Sequence, residues 1–226
     1  MSDKSGEYFD IRVPQAQSIE LQTLGMRPPA RHLLLLVRGG DVGQERYLCG
    51  HDERHWFASG VPGSASTIAG AMRCLRPPEV EHLVQCRVKR TKNALRRRNE
   101  AFVRQGEWFF VPQAELDAPA SLILRHEPLS RGDGGKSHCC EELFRDGGVP
   151  VYVCQKYPRG LAYDAYARVL ERNADAKNWN WRVMRLNARV FARGKISHPD
   201  HKTIVLRFWH QVLMNNEHRR GVVFLD

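Results

Sequence analysis

The sequence predicts an α+β fold with a mostly antiparallel sheet, three to five helices and a single compact domain over 1–226. Three observations lead there. Hydrophobic residues make up 42% and charged residues 27% of the 226 residues, a composition that can build a core. Candidate strands outnumber candidate helices. The two do not alternate, so a doubly wound parallel sheet is disfavoured.

The first thirty residues, ending in Arg27-Pro28-Pro29, read as a loop-rich segment. His32–Arg38 has the apolar run of a buried strand, closed by the Gly39-Gly40 turn. Glu45–Gly50 and His55–Ala58 follow as short strands joined through the polar 51–54 segment. A helix is expected over 66–75, with Ser66 as N-cap and Pro77-Pro78 beyond its end.

Lys89–Gln105 reads as an amphipathic helix ended by Gly106. At ~100° per residue, Leu95, Asn99, Phe102 and Val103 share one arc, and Lys89, Arg90, Arg96, Arg97 and Arg104 an adjoining one. Glu107–Val111 is a strand, and Pro112–Pro119 (a sub-boundary near 112–120) is the best candidate linker. Beyond it, strand 121–125, a glycine-rich loop 131–136, a short helix 137–145 and strand 149–154 are expected. Helix 163–173, strands 189–197 and 203–213 joined through Pro199-Asp200-His201, and a last strand 222–225 complete the chain. There is no internal repeat.

Charge gives the main functional lead. The net charge is +10, but residues 87–104 hold eight basic residues against one acid, and 182–220 nine against two. Such concentrations attract polyanions. The expected partner is therefore nucleic acid, held by Lys89, Arg90, Arg96, Arg97 and Arg104 on the basic helix. Arg189, Arg193 and Lys195 on the last hairpin are expected to contribute too. Arginine forks match phosphate oxygens. Trp108, Phe109 and Phe110 offer stacking surfaces for bases but fit a core better. An acidic protein partner within a larger assembly is the alternative.

Histidines supply the second lead. On the strand 203–214, His210 alternates with Leu206, Phe208 and Val212, and His198 lies on the preceding strand. With His201 and Lys202 at the turn, this set suits general acid–base cleavage of a phosphodiester, because imidazole titrates near neutrality. Cys49, His51 and His55 have spacings that zinc or another divalent metal can bridge, with a fourth ligand from His138, Cys139 or Cys140. That set defines a further alternative, a small metalloenzyme.

Other motifs carry less. Ser130–Ser137, Ser-Arg-Gly-Asp-Gly-Gly-Lys-Ser, resembles the phosphate-binding loop of P-loop NTPases at Gly135, Lys136 and Ser137, but Ser130 replaces its first glycine. A flexible turn or an anion-binding nest fits better. Cys139-Cys140 opens an expected helix, where a thiol can be activated. The six cysteines include no CxxC pair and read as reduced apolar fillers. No apolar run reaches the roughly 20 residues of a membrane span, and no cationic-then-apolar leader opens the chain. A cytosolic protein without membrane partners is expected.

Overall fold

A computed structural model describes residues 2–3, 6–7, 18–39, 43–52, 55–130 and 136–217. The fold is α+β and strand-rich, with four α-helices among the described residues, and its registered strand pairings are antiparallel. The chain divides into two compact units. One comprises Met1–Asp52, Trp56–Leu75 and Asn216–His218, and the other Glu53–His55, Arg76–Asn215 and Arg219–Asp226.

Besides a two-residue ladder of β1 (Ser2–Asp3) with β2 (Gly6–Glu7), the first unit is a meander. It runs through β3 (Glu20–Arg27), β4 (His32–Arg38), β5 (Gln44–Asp52) and β6 (His55–Gly60, whose first residue is assigned to the second unit) in spatial order. β3 lies in the segment expected to be irregular. It is a largely exposed edge strand with a bulge between Thr23 and Gly25, which breaks the two-residue alternation that would have marked it. Helix α1 (Ile68–Cys74) starts one residue later than expected: the Thr67 hydroxyl, not Ser66, accepts from Gly70 N at 3.0 Å. Leu34, Leu48, Val61, Ala71 and Leu75 form this unit's core.

The second unit departs most from expectation between 76 and 106. No helix spans 89–105. Instead α2 (Pro78–Arg87) opens on Pro78, with Glu79 and Glu81 in its first turn, and α3 (Thr91–Ala94) is a single turn. The chain then reverses at Asn99, whose side-chain oxygen accepts from Ala101 N and Phe102 N. It enters the hairpin of β7 (Val103–Gln105) and β8 (Trp108–Pro112). Asn99 thus competes with helix, and burial of Phe102 against Phe109 outweighs the helical spacing of the arginines.

β7 and β8 belong to a six-stranded sheet of order β7–β8–β15–β14–β10–β9, where β9 is Leu124–Leu129, β10 His138–Asp146, β14 Arg189–His198 and β15 His201–Met214. Both faces of β8 are covered. Trp108 and Phe110 join Leu129, Cys140, Leu143, Val190, Ile196, Leu206 and Val212, while Phe109 and Val111 meet Val80 and Val84 of α2. The Trp-Phe-Phe-Val run is therefore core, as favoured, and does not offer a stacking face for bases.

The expected helix at 137–145 is β10. A bulge at Glu141 shifts its register between Cys140 and Glu142, so the buried residues Cys140, Leu143 and Phe144 take helix-like spacing in a strand. The expected strand 121–125 is a 3-10 turn, Ala120–Leu122, followed by β9. Pro112 ends β8, Gln113 N donates to Trp209 O, and Ala118 is buried against Phe144, Phe191 and Trp209. A smaller sheet, β12 (Tyr157–Leu161), β11 (Val149–Cys154) and β13 (Arg182–Leu186), carries α4 (Tyr163–Arg172) and a Tyr and Trp cluster. The expected strand at 222–225 and the loop residues 131–135 lie outside the described residues.

Candidate functional site

β15 is longer than its neighbour. β8 pairs only with His210–Met214, so the 201–207 half of β15 lacks β8 on that side. Residues 97–104 run alongside it, held by the Arg98–Val103 bridge and by Arg104 N donating to Arg97 O at 2.6 Å. Between them lies a cleft of about 480 Å³ lined by Arg97, Arg98 and Arg104 from one side and Lys202 and Arg207 from the other. Among the described residues that line it none is acidic. Burial, and then the Arg104 charge beside it, pull the Arg97 guanidinium down to about 10. Like charges held together favour an anion that enters.

The expected basic set divides on inspection. Arg97 and Arg104 line the cleft; Lys89, Arg90 and Arg96 are exposed and do not. On β14 the arginines meet the protein's own acids. Arg189 pairs with Asp146, and Arg193 donates to Glu142 at 2.5 Å while lying over the Trp209 ring. Lys195 N donates to the Glu141 carboxylate, and its side chain lies outside the cleft lining. Arg98 and Arg207, which sequence reasoning left out, complete the cleft. Arg207 alternates with Thr203 and Val205 opposite the apolar face of β15, which was the available signal.

A second cluster sits where β14 turns into β15. His198 and His201 are opposite each other in register around Pro199-Asp200, and His138 of β10 joins them. Ring centroids are 4.3 Å apart for His138 and His198, 4.7 Å for His198 and His201, and 5.6 Å for His138 and His201. One ligand nitrogen from each lies within 4.8 Å of the others, so the three could hold a metal ion; no other such group occurs among the described residues. His138 is 1% exposed, and its Nε2 is buried without a hydrogen-bond partner. Burial, then the charges of His198 and His201, depress its pKa to about 3. The imidazole is therefore neutral at pH 7.

The framework around these histidines is specific. Gly106 sits at the first central position of the β7–β8 turn with φ +57°, where a type II′ hairpin takes glycine. A Cβ there would stand 2.8 Å from His201 Nε2, so glycine also admits the imidazole. Gln105, 1% exposed, donates through Nε2 to Lys202 O at 2.7 Å and ties the hairpin turn to β15. Asp200 N donates to His198 Nδ1 at 3.1 Å, which leaves His198 Nε2–H facing Lys136 O at 3.1 Å.

The expected catalytic grouping does not form as a whole. His198, His201 and Lys202 are adjacent, but His210 lies at the far end of β15, its Nδ1 2.8 Å from Phe208 O. A bulge opposite Ala192 and Gly194 separates it from the others. Cys49, His51 and His55 do not form a ligand cluster either. Cys49 is buried with its thiol pKa raised by desolvation, the His51 ring stands edge-on to Trp56, and His55 Nε2 lies 3.1 Å from the Asp200 carboxylate. Cys49 and His51 share a face of β5 but stand about 6–7 Å apart along the strand, and His55 lies beyond the turn at the start of β6, so short spacing gave no convergence.

Lys136 of the glycine-rich loop pairs with both Asp200 oxygens, at 2.7 and 3.0 Å, and a strand follows where a phosphate-binding loop needs a helix. Cys140 has burial pushing its thiol up to about 12, and no helix start lies beneath it to activate Cys139. Among the described residues no helix is long and apolar enough to cross a membrane.

Compared with protein-family models, curated proteins and solved structures, neither the chain nor its fold has a match.

Proposed function

We propose that the protein binds the phosphate backbone of a nucleic acid in the cleft between residues 97–104 and the first half of β15. The observation that carries this reading is five cations, from stretches about a hundred residues apart, converging on one cleft whose described lining residues include no acid. Each nucleotide carries one charge, so a short strand meets all five. An acidic peptide would need an unbroken run of Asp or Glu to do the same. Four of the five are arginines, whose planar forks bind phosphate oxygens in pairs. Contacts of this kind position a strand without reading its sequence.

Counterion release sets the scale of the test. With five phosphates neutralised, log K falls with log salt at a slope of about −4.5 for duplex and −3.5 for single strands. Between 50 and 200 mM salt the affinity should drop roughly 100- to 500-fold. Fluorescence anisotropy with labelled single- and double-stranded DNA and RNA oligonucleotides measures this. A salt-insensitive signal, or no binding at 50 mM salt to any of the four, would overturn the proposal. If polyglutamate of equal charge displaces the oligonucleotide at equal concentration, the acidic protein partner becomes the better reading.

A further inference from the structure

We propose that His138, His198 and His201 form a binding site for a divalent ion of the zinc class, using three imidazole nitrogens and leaving a coordination position for water or a ligand. The inference does not depend on what enters the cleft.

The donor set comes first. Three imidazole nitrogens suit zinc, cobalt, nickel or copper, and they do not suit magnesium or calcium, which take oxygen ligands. The second observation is the orphaned His138 Nε2. Leaving a buried polar nitrogen without a partner costs about 1–3 kcal/mol, and the indole Nε1 of Trp108, whose ring meets His138 edge-on, is buried in the same condition. A buried water could relieve one or both. A metal ion satisfies His138 and, unlike water, recruits all three rings.

The third observation is the tautomer of His198. Its Nε2–H faces Lys136 O, and its Nδ1 lone pair receives Asp200 N–H. Metal-bound histidines commonly donate their other ring N–H to a carbonyl or carboxylate. Ligation through His198 Nδ1 keeps the contact with Lys136 O as that outer support and displaces only the Asp200 amide. From the other side Gln105 ties down the start of β15 at Lys202, and Gly106 leaves room for the His201 imidazole.

Geometry sets what must move. Nitrogens ~2.0–2.1 Å from a tetrahedral zinc ion lie roughly 3.3 Å from each other, whereas the three here lie within 4.8 Å. The rings must turn inward by about 1 Å from their near-parallel stacking. His198 and His201 are only half-buried at a turn, and they supply that movement.

The test uses the full-length protein without a histidine tag, stripped with chelator and titrated with cobalt(II), whose visible absorption reports coordination, and with zinc by elemental analysis. The expected result is one equivalent of either ion, no binding of magnesium, and a zinc-dependent rise in Tm. His198→Ala and His201→Ala should each weaken cobalt binding at least about 100-fold and remove the zinc-dependent Tm rise. Binding of less than about a tenth of an equivalent by the wild type would overturn the proposal, as would undiminished binding in both variants. His138→Leu is the more severe test. Should that variant fail to fold, the two half-buried positions, with folding checked by circular dichroism, still decide the outcome.

Discussion

The arginines of β14 and those around the cleft come from the same kind of sequence and reach different surroundings. Arg189 and Arg193 lie directly across the β10–β14 ladder from Asp146 and Glu142, and each pairs with the acid it faces. Across the first half of β15 the neighbour is residues 97–104, where the charged residues lining the cleft are all arginines. Local charge density does not distinguish the two; the identity of the adjacent strand does. β10 brings Glu141, Glu142 and Asp146 to one side of the hairpin, and residues 97–104 bring cations to the other.

The largest expected effect tests this contrast directly. Arg98→Glu with Arg207→Glu, both exposed positions, should lower oligonucleotide affinity about 100-fold or more at ~100 mM salt and flatten the salt slope by at least about two phosphates. Arg189→Glu with Arg193→Glu introduces the same charge change on β14. It should alter affinity less than about threefold. It should instead lower stability by about 1–2 kcal/mol, because like charges then face each other across the ladder and the cation over Trp209 is lost. Equal losses of binding in the two double variants would erase the distinction between the surfaces.

A second contrast separates the buried imidazoles from the exposed cations. His138 has its folded pKa depressed to about 3 by burial and by its two histidine neighbours, against about 6.5 when unfolded. Between those values the unfolded chain binds the extra proton, so stability rises with pH through that window and is lost as pH falls below about 6.5. The slope approaches about 1.4 kcal/mol per pH unit once the unfolded histidine is fully protonated. Burial depresses His210 as well, with the same sign. In chelator-treated protein, urea midpoints between pH 7 and 4.5 should fall steadily for the wild type and less steeply for His138→Leu. Parallel curves would show that His138 is already reachable by protons in the folded state.

How far the sequence could lead is set by distance along the chain. The last hairpin was legible because its strands adjoin a two-residue Pro-Asp turn and alternate apolar residues over ten or more positions. The cationic pairing was half legible: both stretches stood out by charge, but only the fold shows that 97–104 lies against 201–207. The intervening element was misread because Lys89–Gln105 has good helical spacing, while the decisive contacts, Asn99 with its own backbone and Phe102 with Phe109, compete with it. For the metal cluster, His198 and His201 were visible at the turn. His138 was not linked to them, since its partner strand lies some 60 residues away and the Glu141 bulge disguised β10 as helix. Bulges and long-range ladders leave no periodic trace, and both converge on this site.

The smallest predicted effect concerns the rim of that cluster. The Asp200 carboxylate accepts both contacts from Lys136 and faces His55, and the hydrogen bonds from Lys136, ahead of the charges of His55 and His198, hold its pKa below the usual value. A depressed carboxylate contributes stability above its unfolded pKa and loses it as pH falls through the folded one, so any contribution is present at pH 7. Yet the Lys136 side chain is 60% exposed, and solvent and salt screen such a pair to about 0–1 kcal/mol. Asp200→Asn keeps the backbone N–H that meets His198 Nδ1 and removes only the charge. Its urea midpoint at pH 7 should move by less than about 0.5 kcal/mol equivalent, and 0.5 M salt should remove the difference. A larger, salt-resistant loss would mean that the carboxylate acts on the histidines themselves, placing Asp200 with the buried cluster.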